Sequence, residues 1–346
     1  MRTIKQLLMT VAVLLYSVAA SAYDFEVDGI YYKITSASDL TVSVTRGDNK
    51  YAGDVVVPSA VTHESNTYAV TNIEGNAFNF SMGLTSVTIP GSVKYFGIFA
   101  FSSCFYLESV TFLDGVKSIA DYAFENCKGL TSVTIGNTVT YIGEYAFASC
   151  NSLTSVSIPN SVTTIGQFAF QGCGNLASVT IGNSVTTIGQ YAFQWCSNLA
   201  TITIPSSVTM IEDYAFAACG KLASIYLLGE MPPSFYNMTE EQCAKITLYV
   251  PSGSLETYRN ADKWKNFQNI REFDVTGIGN TAANDVAIRV TANGIMLTDA
   301  EGKAVTVYSA NGALVEKTAC YTGEEIALGR GVYIVHVGNK TLKVKK

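Results

Sequence analysis

The chain has 346 residues, 48% of them hydrophobic and 14% charged, so it holds ample apolar material for a core and is not composed like a disordered chain. Its formal charge is −6, and −8 once Arg2 and Lys5 are set aside, which argues against nucleic acid or an anionic membrane surface as a partner.

Residues 1–22, MRTIKQLLMTVAVLLYSVAASA, have a cationic start, an apolar run from Leu7 to Val18 and a small-residue end at Ala20-Ser21-Ala22. They read as a cleavable signal peptide. The apolar run is shorter than the roughly 20 residues that span a bilayer, and no membrane span is expected elsewhere. Residues 23–72, with GIYYKIT, LTVSVT and VVVP, read as an N-terminal β cap.

From residue 73 to 235 the sequence is periodic. Cys104, Cys127, Cys150, Cys173, Cys196 and Cys219 stand 23 residues apart, and Phe78, Phe101, Phe124, Phe147, Phe170, Phe193 and Phe216 keep the same step. Such a period marks a solenoid, whose units bury their apolar sides by stacking. In one unit, CNSLTSVSIPNSVTTIGQFAFQG, alternation turns Val156 and Ile158 inward and Ser155 and Ser157 outward, as a half-buried strand requires. Pro159 ends the strand, and Val162 and Ile165 suit a short extended or 3₁₀ return stroke. Seven coils about 4.8 Å apart predict a parallel sheet roughly 30 Å long.

Beyond Met231-Pro232-Pro233 the period is expected to stop, with residues 236–273 as a C-terminal cap. There Thr239-Glu240-Glu241-Gln242 reads as a capping box, Ile246 to Val250 as a strand, and Ser254 to Phe267 as helical spacing. Residues 274–285 read as a linker, and 286–346 as a small β-sandwich with turns at Asn293-Gly294 and Asn311-Gly312. The fold class is therefore mainly β: a solenoid of 23-residue coils with two caps, followed by a β-sandwich.

The pattern C-x-x-L-x-x-V-x-I-P, with Ala-Phe before each cysteine, resembles the BspA-like leucine-rich repeats across about residues 71–228. The end, GVYIVHVGNKTLKVKK, resembles the C-terminal sorting domain of type IX secretion cargo. These resemblances imply an exported bacterial protein at the cell surface or outside the cell, adhering to host matrix proteins or other cells. Residues 286–346 would then contact the secretion machinery. Without that sorting role the protein would be periplasmic.

An enzymatic reading lacks groups, because the two histidines, His63 and His336, flank the repeats and leave no Ser-His-Asp or Cys-His set within them. No cofactor is implied. Zinc is disfavoured because no C-x-x-C pair or nearby histidine supplies ligands. The cysteine row reads as buried thiols in preference to cross-coil disulfides, since in-register side chains run parallel while the bond needs a dihedral near 90°.

The candidate surface is the sheet face. Thr88, Thr111, Thr134, Ser157, Thr180 and Thr203 form one outward row, and Ser86, Ser109, Ser132, Ser155, Ser178 and Thr201 lie beside it. β-propensity alone would also explain such rows. The row Phe99, Tyr122, Tyr145, Phe168, Tyr191 and Tyr214 is assigned to core packing in preference to a recognition stripe. Between Gly129 and Ile211 Glu144 is the only charged side chain, so a protein or glycan ligand would be met there by hydrogen bonds and stacking. A structural spacer with no ligand is the remaining alternative.

Overall fold

The computed structural model describes residues 22–235 and 238–273 and, within the terminal unit, 287–290, 294–298, 304–309, 314–318, 325–329, 331–337 and 340–346. Residues 1–21 of the signal peptide read over 1–22, the linker, Asn293, Asn311-Gly312 and Cys320 lie outside these residues.

Each coil has three hydrogen-bonded sides. The first carries the expected parallel strands, such as Ser155–Ser157 paired in register with Ser178–Thr180. The seven-coil continuous sheet is corrected: among the described residues this side forms ladders of four, two and four strands. Bonding lapses between Ser132–Thr134 and Ser155–Ser157, and again before Thr201–Ile204.

The coils keep register across both gaps because the second side is bonded there. It is a six-stranded parallel sheet of two-residue strands, among them Tyr141–Ile142, Thr164–Ile165 and Thr187–Ile188. The return stroke is thus extended, with Ile142, Ile165 and Ile188 fully buried.

The third side is a turn in which alternate backbone N–H groups donate to the next coil: Tyr145 to Gln167 O at 2.9 Å, Phe147 to Ala169 O at 2.8 Å and Ser149 to Gln171 O at 2.6 Å. That spacing needs two left-handed residues per coil, and the chain supplies them mostly without glycine. Tyr145 has φ 52°, Ser149 59°, Trp195 61° and Ala218 55°. An L-residue in this region costs about 1–2 kcal/mol. Ala218 is exposed, so Ala218→Gly is expected to raise stability by less than about 1 kcal/mol, the relief being partly offset by glycine's entropy. A lower urea midpoint would show that position 218 has no left-handed cost to relieve.

Inside run two ladders. The seven phenylalanines are buried, and neighbouring rings from Phe124 to Phe216 stack with centroids 5.4–5.7 Å apart. The six periodic cysteines are free and buried. Each thiol donates to the carbonyl of the phenylalanine 26 residues earlier, as Cys173 Sγ does to Phe147 O at 3.2 Å. That carbonyl otherwise accepts a long turn bond, 3.4 Å from Cys150 N. A thiol therefore fits where it must be small, apolar and still a donor.

At the N-terminal side, strands Phe25–Val27, Ile30–Ser36, Thr41–Thr45, Ala60–His63 and Asn66–Ile73 form one sheet, while Ala52–Val56 begins the first solenoid side by pairing with Gly83–Ile89. Tyr51 stacks on Phe78 at 4.0 Å and ends the phenylalanine ladder.

At the other side the period does not stop. Thr247–Pro251 and Asn269–Phe273 add two parallel strands, so the cap is built as further coils with helices in place of turns. Thr239 caps helix Glu240–Lys245 by accepting from Gln242 N at 3.3 Å. Gln242 stands 23 residues after Cys219, and its Nε2 donates to Phe216 O at 3.3 Å, taking the place of the next thiol. The single helix expected over 254–267 is corrected: helix Leu255–Asn260 ends at Ala261, Lys263 is left-handed at φ 65°, and a 3₁₀ turn follows at Trp264–Asn266.

In the terminal unit, two antiparallel sheets share a separate core that includes Ile295, Leu297, Val305, Val335 and Val344. No described helix is long and apolar enough to cross a membrane.

Candidate functional site

Nine of the twelve hydroxyl residues in the two rows are the candidate contacts, and all nine face outward. Ser132, Thr134, Ser155, Ser157 and Ser178 are exposed, and Thr88, Thr111, Thr180 and Thr203 are half-buried. Register brings them together, with Ser86 opposite Ser109, Ser109 opposite Ser132, and Ser157 opposite Thr180.

Their chemistry differs from that of other threonines in the coils. Thr140, Thr163, Thr186 and Thr209 also recur every 23 residues, but each donates its hydroxyl to a carbonyl of the preceding coil at 3.1–3.3 Å. None of the nine has a side-chain hydrogen-bond partner among the described residues. Those hydroxyls remain available to another molecule.

Both rows end in groups that sequence reasoning missed. At the first end, Asp54 pairs in register with Ser86 and accepts from Ser86 Oγ at 2.6 Å and Thr85 Oγ1 at 2.8 Å, which holds its carboxyl below the usual range. At the other, Thr203 is followed in register by Tyr226, Tyr249 and Arg271. Tyr226 and Tyr249 stack at 4.4 Å, with Phe273 edge-on to Tyr226 at 5.5 Å. Burial, then Tyr249, pushes the Tyr226 phenol up. The signal was present, since Tyr226 and Tyr249 stand 23 and 46 residues after Thr203.

The row Phe99 to Tyr214 is not in the core, which corrects its assignment. All six rings are half-buried, and successive centroids lie 4.3–5.4 Å apart. They stabilise the turn side by stacking on each other, so they offer edges and hydroxyls rather than ring faces.

His63 stacks on Phe25 at 4.1 Å. A 680 Å³ cleft in the N-terminal region is lined by Glu26, Asp28, Lys50, Tyr51 and Asp54 among others, and His63 does not line it.

The BspA type leucine rich repeat region matches this chain in six copies over residues 71–181 and 117–247, together just over half its length. The chain belongs to the BspA-type leucine-rich-repeat family. Solved structures agree with that assignment. A leucine rich cell surface protein from Faecalibacterium prausnitzii A2-165 is similar at 28% identity and TM-score 0.54, covering 72% of this chain and 76% of its own. A leucine-rich repeat protein from Bacteroides ovatus ATCC 8483 is similar at 26% identity and TM-score 0.55, covering 73% and 72%. The leucine rich repeat protein of T. pallidum covers 57% of this chain and 90% of its own at 28% identity and TM-score 0.50. No curated protein matches. As a BspA-type repeat protein, this chain presents a repeat-based surface of the kind used to bind proteins.

Proposed function

We propose that the chain is an exported cell-surface binding protein that holds a host matrix protein or a neighbouring cell on the first side of its solenoid. The observation that carries this reading is the nine outward hydroxyls of the two rows that have no side-chain partner among the described residues, while the hydroxyls of Thr140, Thr163, Thr186 and Thr209 are bonded to the preceding coil. A protein ligand is favoured over a glycan on this face because the aromatic groups at its end, Tyr226 and Tyr249, cover each other's faces and leave edges and hydroxyls, a mode common at protein interfaces. The terminal unit is assigned the sorting role that its GVYIV and LKVKK segments resemble, and residues 1–22 the export signal.

The test is a binding screen of the mature protein against extracellular-matrix proteins and polysaccharides. Saturable binding to a matrix protein is expected, weakened at least tenfold by the triple variant Thr134→Arg, Ser155→Arg, Ser157→Arg. Because Glu144 stands alone in the central span, affinity is expected to change less than about threefold between roughly 50 and 200 mM salt. Binding that survives the triple variant, or that falls tenfold with salt, would move the site to the charged flanks.

A further inference from the structure

Trp195 is the one tryptophan among the exposed aromatic side chains of the coil turns, where Phe80 and Tyr106 also stand open. Its backbone is stacked in register, with Gly172 N donating to Gln194 O at 2.8 Å and Trp195 N donating to Ala217 O at 2.9 Å. The residues one coil before and after it are Gly172 and Ala218, so no ladder neighbour covers the indole as rings cover one another elsewhere. It is 53% exposed and has no ring partner among the described residues. The backbone does not call for a tryptophan there. The same left-handed turn position is filled by Phe80 in the first coil and by Ser103, Asn126, Ser149 and Gly172 in others, and a bulky residue at positive φ is uncommon.

The polar groups of the same turn are amides, joined by one ammonium, Lys221. Gln171 Nε2 donates to Gln194 Oε1 at 2.6 Å, leaving Gln171 with an acceptor and Gln194 with a donor. Asn198 Nδ2 donates to Asn175 Oδ1 at 3.1 Å, and Lys221 Nζ donates to Asn198 Oδ1 at 2.7 Å. No carboxylate occurs from Tyr145 to Ile211.

We propose that this turn is a second binding site, for a neutral oligosaccharide. The C–H face of a pyranose would lie on the open indole face. Its hydroxyls, each both donor and acceptor, would meet amides that offer both functions, and the Lys221 ammonium beside them is already bonded to Asn198 Oδ1. The site lies on the third side of the coil and is independent of the hydroxyl face.

The protein has two tryptophans, and Trp264 is buried, so a change in emission on adding ligand reports on Trp195. The mature protein is titrated with maltohexaose, cellohexaose and mannohexaose, followed by emission wavelength and calorimetry. Saturable binding of at least one hexaose with a blue shift is expected. Trp195→Ser, which places at 195 the residue found at 103 and 149, should weaken it at least tenfold with an unchanged urea midpoint. Ala218→Phe, which keeps the tryptophan but lays a ring beside it, should weaken it as well. The proposal is overturned if no neutral hexaose binds, if binding survives both substitutions, or if only sulfated saccharides or a proline-rich peptide shift the emission.

Discussion

Raising the pH from about 8 to about 11 is expected to unfold the solenoid. Burial pushes the thiols of Cys104, Cys173 and Cys219 up to about 12, and those of Cys127, Cys150 and Cys196 are raised as well. Below the ordinary thiol value both folded and unfolded chains hold these protons, and stability does not depend on them. As pH passes that value the unfolded chain releases protons that the folded chain retains. Stability is therefore lost from there until the folded value is reached, by on the order of 1 kcal/mol per pH unit for each thiol. Six thiols act together, and Tyr32, Tyr51 and Tyr258, also raised by burial, act in the same direction at higher pH. Urea midpoints between pH 7 and 11 measure the slope. The double variant Cys150→Ala, Cys173→Ala should be less stable at pH 7 yet show a shallower alkaline decline. A flat profile to pH 10.5, or an unaltered slope in the double variant, would rule out the thiol ladder as the cause.

Phe170→Ala is expected to cost about 3–5 kcal/mol, as a buried aromatic truncation. Phe170 is fully buried and stacks on Phe147 and Phe193 at 5.4 Å each, so its removal opens a gap between coils as well as within one. Because each coil contacts only its neighbours, a central lesion also uncouples the two halves, and unfolding should broaden or split into two steps. Thr180→Ala, on the outward face, should cost under about 0.5 kcal/mol. Equal losses in urea would mean that the inner and outer faces had been exchanged.

What could be read in the sequence was whatever repeats with a side-chain signature. The period gave the coils, alternation gave the inward Val156 and Ile158, and the parallel-vector argument gave free thiols at Cys104 to Cys219. The turn was harder. Tyr145 and Phe147 both belong to rows of rings at the 23-residue step, and because stacked rings stabilise a core, both rows were assigned to core packing. The left-handed backbone at Tyr145 swings its ring outward instead, and nothing about a tyrosine signals positive φ as a glycine would. The C-terminal cap was misread for another reason. Its helices break the visible motif, yet Gln242, Leu248 and Tyr249 still fall on the 23-residue step. The hydroxyl face was legible as a row, but its availability was not. Thr163 and Thr180 look alike in sequence, and the difference lies in which of them reaches a carbonyl of the preceding coil.

The amide of Gln242, bonded where the next thiol would be, has a consequence for how such a molecule changes length. Every junction along the cysteine row delivers the same donor to the same carbonyl, and the cap delivers an equivalent one. Gain or loss of one whole 23-residue segment by recombination within the gene would again set thiol against phenylalanine carbonyl and ring against ring, and leave both ends fitted. A segment of any other length would set a thiol against the wrong carbonyl and a ring against a methyl group. The distance from one end of the solenoid to the other is thus free to vary in steps of one coil, about 4.8 Å, while the caps stay as they are.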